Sequence, residues 1–213
     1  MELFHAIGLA LGTSFAAGLN LYATILTAGL LHRFGAVQLP SGLEIVTHPA
    51  ILILAGVLFI VEFVADKVPW VDTIWDLVHT LIRPLAAATL AIAGTAGVDP
   101  VWQLGAGLLA GGVALTSHGA KASTRAAANV SPEPFSNWLL SFTEDAIAIG
   151  LTWLAVTHPI VTAVVVVILL LMAIWVIRKL FHFVRARFVN AGARSREAAR
   201  RQGERTRTPP AAT

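Results

Sequence analysis

The sequence predicts an all-α membrane protein: a bundle of about six transmembrane helices, some of them short or re-entrant. Three observations predict it. Of 213 residues, 56% are hydrophobic and 13% charged, with a mean hydropathy of +0.75, far from the balance of a soluble domain. The apolar residues are gathered into runs that approach the roughly 20 residues a helix needs to cross a bilayer. Prolines punctuate the borders of those runs, where a helix starts or stops.

The first run extends from Phe4 to Leu31 and the second from Ala50 to Ala65. The third is Leu81 to Ala96. The fourth is Val101 to Leu115, continuing as a more polar helix to Ala128. The fifth spans Trp138 to Val156, and the sixth, Ile160 to Ile177, is the most uniformly apolar. Pro49 and Pro159 each follow a Thr-His pair and open a run, and Asp99 and Pro100 divide the third run from the fourth. Ser131, Pro132, Glu133 and Pro134 do not continue a helix. The N-terminus has no basic flank, and its apolar run continues past any cleavage point, so it does not read as a signal peptide.

Charge divides the chain in two. Residues 1–177 form the polytopic membrane domain, with five Lys/Arg against ten Asp/Glu. Residues 178–213 carry ten Lys/Arg and two Glu. They read as a basic amphipathic segment, lying on the membrane or extending the last helix, followed beyond Gly192 by a disordered tail. The basic excess is a positive-inside flank that meets anionic lipid headgroups, rather than a nucleic-acid surface. It places the C-terminus in the cytoplasm of a cell whose inner membrane the chain crosses. Counting back through six spans places the N-terminus there as well. The chain has no cysteine, which excludes disulfides, thiol catalysis and Cys-ligated zinc.

Ionisable residues lie inside or against the apolar runs, where a charge costs a few kcal/mol or more and marks a functional site by default. Glu62 and Asp66 stand one helical turn apart and need a cationic partner, Lys121 or Arg125. They read either as a proton or ion relay or as a buried structural ion pair. His118, Lys121 and Arg125 share one helix face, either as an anion or phosphate seat or as a cytosolic helix end. Asp72, Asp76 and His79 also share a face. They suit a divalent cation, or an interfacial helix with Trp70, Ile74, Trp75 and Val78 turned to the membrane. Arg83, followed by Pro84, sits where that short helix would meet the third span. Glu144 and Asp145 either charge a helix N-terminus or point inward within a span. Asn20, Lys67 and Asn129 complete the polar set. The pairs Gly8/Gly12 and Gly107/Gly111 permit close helix approach. A homo-oligomer is compatible with this composition. No hydrolase, zinc-protease or P-loop motif is present, and no cofactor is implied.

A shift of 63 residues aligns Asp66 with Asn129, Pro69 with Pro132, Trp75 with Trp138 and Thr80 with Thr143, and pairs Glu62 with Arg125. Read as a repeat, the two halves would be parallel rather than inverted units.

Several ordered motifs also carry a resemblance. Gly18, Asn20 and Tyr22 come first, followed by Glu62, Asp66, Lys67, Pro69, Asp72, Trp75, Asp76, Thr80, Arg83 and Pro84. His118, Lys121, Arg125, Asn129, Pro132, Pro134, Asn137, Ser141, Glu144 and Asp145 follow. Together they resemble a bacterial integral-membrane family, domain of unknown function 4126. The resemblance implies a multi-spanning protein and no particular activity. The residues themselves favour a small transporter or channel for a charged, anionic solute. A membrane-embedded enzyme or lipid-phosphate handler, and a structural scaffold, are the alternatives.

Overall fold

The computed structural model describes residues 2–129 and 134–207, and among them it is helical with no strand. Seven α-helices follow one another: α1 (Glu2–Leu19), α2 (Leu21–Arg33), α3 (Pro49–Ala65), α4 (Pro69–Gly94), α5 (Pro100–Ala128), α6 (Pro134–Thr157) and α7 (Pro159–Arg207). A 3-10 segment, Ser41–Thr47, precedes α3 and meets it at a bend of 63°. Proline supplies the first residue of α3 through α7, where its fixed φ favours the helix and its missing N–H costs nothing. Side-chain caps reinforce two of these starts: His48 accepts from the Ala50 amide and Asp99 from the Val101 amide.

Three helices are long and apolar enough to cross a bilayer: Trp70–Gly94, Phe135–Thr157 and Pro159–His182. The bent pair Ser41–Thr47 and Pro49–Ala65 makes a fourth if it counts as one span. The bundle's surface agrees with that reading. Leu54, Leu77, Leu108 and Val164 are exposed, while the interior holds alanines and charged groups. Exposed Trp138 and Trp153 stand near the two ends of α6, about 22 Å apart at 1.5 Å per residue, as interfacial tryptophans do.

The largest departure from the sequence reading is the first run, which is two helices. At Asn20 the backbone is extended (φ −148°, ψ 103°) and the chain reverses. Gly8 of α1 lies against Pro159, Gly12 against Thr162 and Ala155, and Gly18 against Ser117 and Ala114. α1 therefore runs in the same sense as α5 and α7. α2 returns, with Tyr22 beside His79 and Gly29 beside Val46 and Leu52. The seven helices alternate in direction. The start of α1 thus lies at the bundle end opposite the basic end of α7, whereas a single first crossing would put both on one side. At 13 residues, α2 is about 20 Å long, short of the ~30 Å hydrocarbon core, as suits the returning arm of a hairpin.

Other boundaries moved less. The short interfacial helix and the third span are one continuous α4, with Pro84 inside it. α6 begins before Trp138, and Ser131, Pro132 and Glu133 lie outside the described residues. α7 continues as helix past Gly192, where composition suggests a disordered tail. Ala, Arg, Glu and Gln are strong helix formers, so low hydrophobicity there does not oppose a helix.

Both glycine pairs pack helices closely. Gly8 and Gly12 admit α7 and α6, and Gly107 and Gly111 admit Ile92, Ala88 and Pro84 of α4. Ala16, Ala17, Ala114, Ala148 and Ala155 are fully buried beside them. In an apolar solvent, close contact between small residues supplies the cohesion that water exclusion supplies elsewhere. α1 is central: Phe15 and Leu19 pack with Val113, Leu151 and Val166 from three other helices.

Candidate functional site: a closed ion network at the broken helix

Five helices bring their polar residues to one place. α3 and α5 arrive there with their C-terminal ends, α4 and α6 with their N-terminal halves, and α1 with the carbonyls freed where it ends at Leu19. Glu62, Asp66, Arg83 and Asn20 are 0% exposed. Isolated charges would not survive such burial, so pairing has to be nearly complete.

The innermost groups form matched pairs. Arg83 Nη2 donates to Glu62 Oε1 at 2.6 Å, and its Nη1 reaches the Gly18 carbonyl at 3.0 Å and His118 Nδ1 at 2.8 Å. The Lys121 ammonium has three hydrogens and three acceptors: Leu19 O at 3.1 Å, Glu62 Oε1 at 3.0 Å and Asp66 Oδ2 at 3.2 Å. Arg125 holds Glu144 Oε2 through Nε (3.1 Å) and Nη2 (2.7 Å), two guanidinium donors converging on one carboxylate oxygen, with Oε1 3.4 Å from Nε. It also binds the Asp66 carboxylate at 2.7 Å and the Asp66 carbonyl at 2.6 Å. Glu62, Asp66 and Glu144 thus balance Arg83, Lys121 and Arg125.

An outer ring surrounds this core. Asp72 accepts from the Asn129 amide at 3.1 Å and lies 3.4 Å from Arg125; Asn129 in turn accepts from Asn137. Asp76 Oδ1 is 3.9 Å from Arg83. Asp145 accepts from Asn20 Nδ2 at 2.8 Å, while Asn20 Oδ1 caps α2 through the Ala23 amide. Asn20 therefore ties the helix break directly to the network. Lys67, between α3 and α4, sits over the Phe63 ring and donates to the Phe63 carbonyl at 2.8 Å. Desolvation pulls its pKa below the ordinary lysine value, against the opposing pull of Asp145 and Asp66.

The partners also assign the histidines. Arginine only donates, so His118 Nδ1 accepts, and Nε2 carries the hydrogen toward the Asp76 carbonyl at 3.1 Å and Thr80 at 3.0 Å. His118 is a neutral link, not part of an anion seat. His79 Nδ1 faces the Trp75 carbonyl at 2.8 Å and so carries a hydrogen, and its Nε2 takes the Tyr22 hydroxyl at 2.9 Å. Both nitrogens being occupied, His79 is no metal ligand here. Among the described residues no group of His, Asp and Glu side chains is arranged to hold a metal ion.

The predicted residues converge. The face of Asp72, Asp76 and His79 turns inward rather than along a membrane surface, although exposed Trp70, Ile74 and Val78 do cover the outside. Glu144 and Asp145 lie well inside α6, so they point inward and do not charge its first turn. Lys121 and Arg125 are saturated by the chain's own carboxylates, not open to an anion. Tyr22, Thr80 and Ser141 stood in the motifs but not among the candidate site residues. The signal for Tyr22 was its place two residues beyond Asn20, and for Thr80 its place one turn before Pro84.

An apolar cavity of about 1190 Å³ lies at the opposite end of the bundle, between Ala6 and Ala10 of α1, Gly94 of α4, and Trp102 and Ala106 of α5. A small one lies among Thr13, Thr24 and Leu39.

Fold and site define a class: an all-helical bundle, apolar outside, built around a closed network of ionised side chains. The family model for the domain of unknown function DUF4126 matches residues 7–179, and the chain belongs to that family. The match covers every network residue and stops at the start of the basic segment. Neither the curated proteins nor the solved structures yield a match.

Proposed function

We propose that the protein is a small multi-pass membrane transporter or channel for a small cation, and that the network is its site. One observation carries the reading: the Lys121 ammonium is held by a carbonyl at a broken helix end and by two carboxylates. Discontinuous helices that present free carbonyls beside acidic groups are how many transporters seat a cation near the bilayer midplane. Leu19 O, Glu62 Oε1 and Asp66 Oδ2 at 3.0–3.2 Å form such a seat, and Lys121 fills it as a tethered cation. An incoming cation would take the seat when Lys121 swings toward Glu144, 3.7 Å away. Asp145 lies midway between Trp138 and Trp153 on α6, while Glu62 in the last turn of α3 and Asp66 at its C-cap set the seat toward the network end of the bundle. The basic segment adjoins the network end of the bundle, and the positive-inside bias assigns that end to the cytoplasm.

An anionic solute fits less well, because Arg83, Lys121 and Arg125 each already have a carboxylate partner, although Arg83 Nε is left without an acceptor. The same saturation weighs against a lipid-phosphate site. A purely structural role has one observation in its favour: the paired core is almost wholly buried, and each of its three cations is matched by a carboxylate.

Purified protein in liposomes tests the reading. Imposed gradients of protons and alkali cations should drive flux above that of empty vesicles, and Glu62→Gln should remove it. Vesicles as tight as empty ones toward every such cation would leave the structural role.

A further inference from the structure

Six carboxyl groups, Glu62, Asp66, Asp72, Asp76, Glu144 and Asp145, lie in the network, each more than nine-tenths buried. Three are neutralised at hydrogen-bonding distance by Arg83, Lys121 and Arg125. Asp72, Asp76 and Asp145 remain. Among the described residues Lys67 is the one further cation beside them, His118 is neutral by its partners, and a charge on His79 is opposed by Arg83 one turn away on the same face. With all carboxyls ionised, the closed cluster would therefore hold two uncompensated negative charges. Burying even one such charge costs several kcal/mol, which in practice is avoided by taking up a proton.

The neighbours of these three decide where the protons sit. One oxygen each of Glu62, Asp66, Asp72, Asp76 and Asp145 is buried with no hydrogen-bond partner, so it is the distance to a cation that separates them. Asp72 is better served, with Arg125 at 3.4 Å and the Asn129 amide. Asp76 has Arg83 only at 3.9 Å, and Asp145 has only the neutral Asn20 amide. The groups facing Asp76 are Arg83, His79 and Asp72 on its own helix, Lys121, His118 and Arg125 on α5, and Asp66 on α3. Those facing Asp145 are Asn20, Lys121, Lys67, Asp66 and Glu62.

We infer that the network stores two exchangeable protons at neutral pH, on Asp76 and Asp145, so that the protein is a proton-binding protein whose ligand sits in the outer ring rather than on the paired core. The Asp145 proton lies against Asn20, the residue that breaks the first helix. Its release would put an unbalanced carboxylate beside the hairpin tip.

This inference does not rest on transport, and its test is separate from flux. Infrared spectra of the full chain in lipid should show the C=O stretch of protonated carboxyls at about pH 7, where exposed Asp and Glu, with pKa near 4, are ionised. The band should shift on exchange into heavy water. Asp145→Asn and Asp76→Asn should each remove about half of its area, a twofold loss, while Glu44→Gln leaves it unchanged. The wild-type spectrum decides even if a variant fails to fold. No band at neutral pH overturns the inference, and so does a band that both folded variants retain in full.

Discussion

Asn20 Nδ2 meets Asp145 Oδ1 at 2.8 Å while Asn20 Oδ1 caps the helix that starts beside it. One amide thus serves the backbone break and the charge network together. Asn20→Ala should remove both contacts and destabilise the protein by about 2–3 kcal/mol, combining a lost cap with a lost buried hydrogen bond. Thermal unfolding in detergent measures it. Asn20→Asp keeps the cap oxygen and leaves two carboxyls sharing the Asp145 proton. Its deficit relative to wild type should widen as pH rises and that proton is lost, because two carboxylates are then in contact. A pH-independent deficit would contradict the contact.

Glu62 serves Arg83 and Lys121 at once, at 2.6 and 3.0 Å. Glu62→Ala leaves two buried cations short of an anion and should cost about 3–5 kcal/mol, the usual penalty for breaking a buried pair from one side. A loss under about 1 kcal/mol, typical of an exposed pair, would mean that water reaches the site.

Gly18 has no room for a side chain, since a Cβ there would collide with Ser117 Oγ and the Ala114 carbonyl. Gly18→Ala should destabilise by about 1–3 kcal/mol through overpacking. Gly112, on the open face of α5, is the control. Gly112→Ala should be neutral, or stabilising by up to about 1 kcal/mol from helix propensity alone. Equal effects in the two variants would refute the close approach of α1 and α5.

The folded-back first run makes a topological prediction. The chain has no cysteine, so single cysteines can be introduced cleanly. Phe4→Cys and Phe181→Cys should react with an impermeant thiol reagent from opposite sides of the bilayer. Labelling of both from one side would restore a single first crossing and an even number of spans.

The helical, apolar character and most helix borders were legible in the sequence, because proline starts and apolar runs are local signals. So was the set of network residues, since charges in apolar runs stand out one by one. What periodicity does not carry is direction and pairing. The break at Asn20 is a backbone event inside an apolar run, and hydropathy does not register it. Arg83 was expected at a helix border. It became the partner of Glu62 because α4 is continuous, which places Asp76, His79 and Arg83 on one inward stripe. The anion-seat reading of Lys121 and Arg125 followed from their shared face. It takes coordinates to show that Glu62, Asp66 and Glu144 had already claimed their hydrogens.

The central claim is that this network is a working site and not a fixed internal brace, and access to its interior tests that most directly. Ser141 is fully buried and lies 3.5 Å from Lys67. In vesicles of folded protein, Ser141→Cys should be modified slowly by an impermeant thiol reagent, only from the side of the basic segment, and faster when a cation gradient is applied. A cysteine there that reacts only after denaturation would contradict the account.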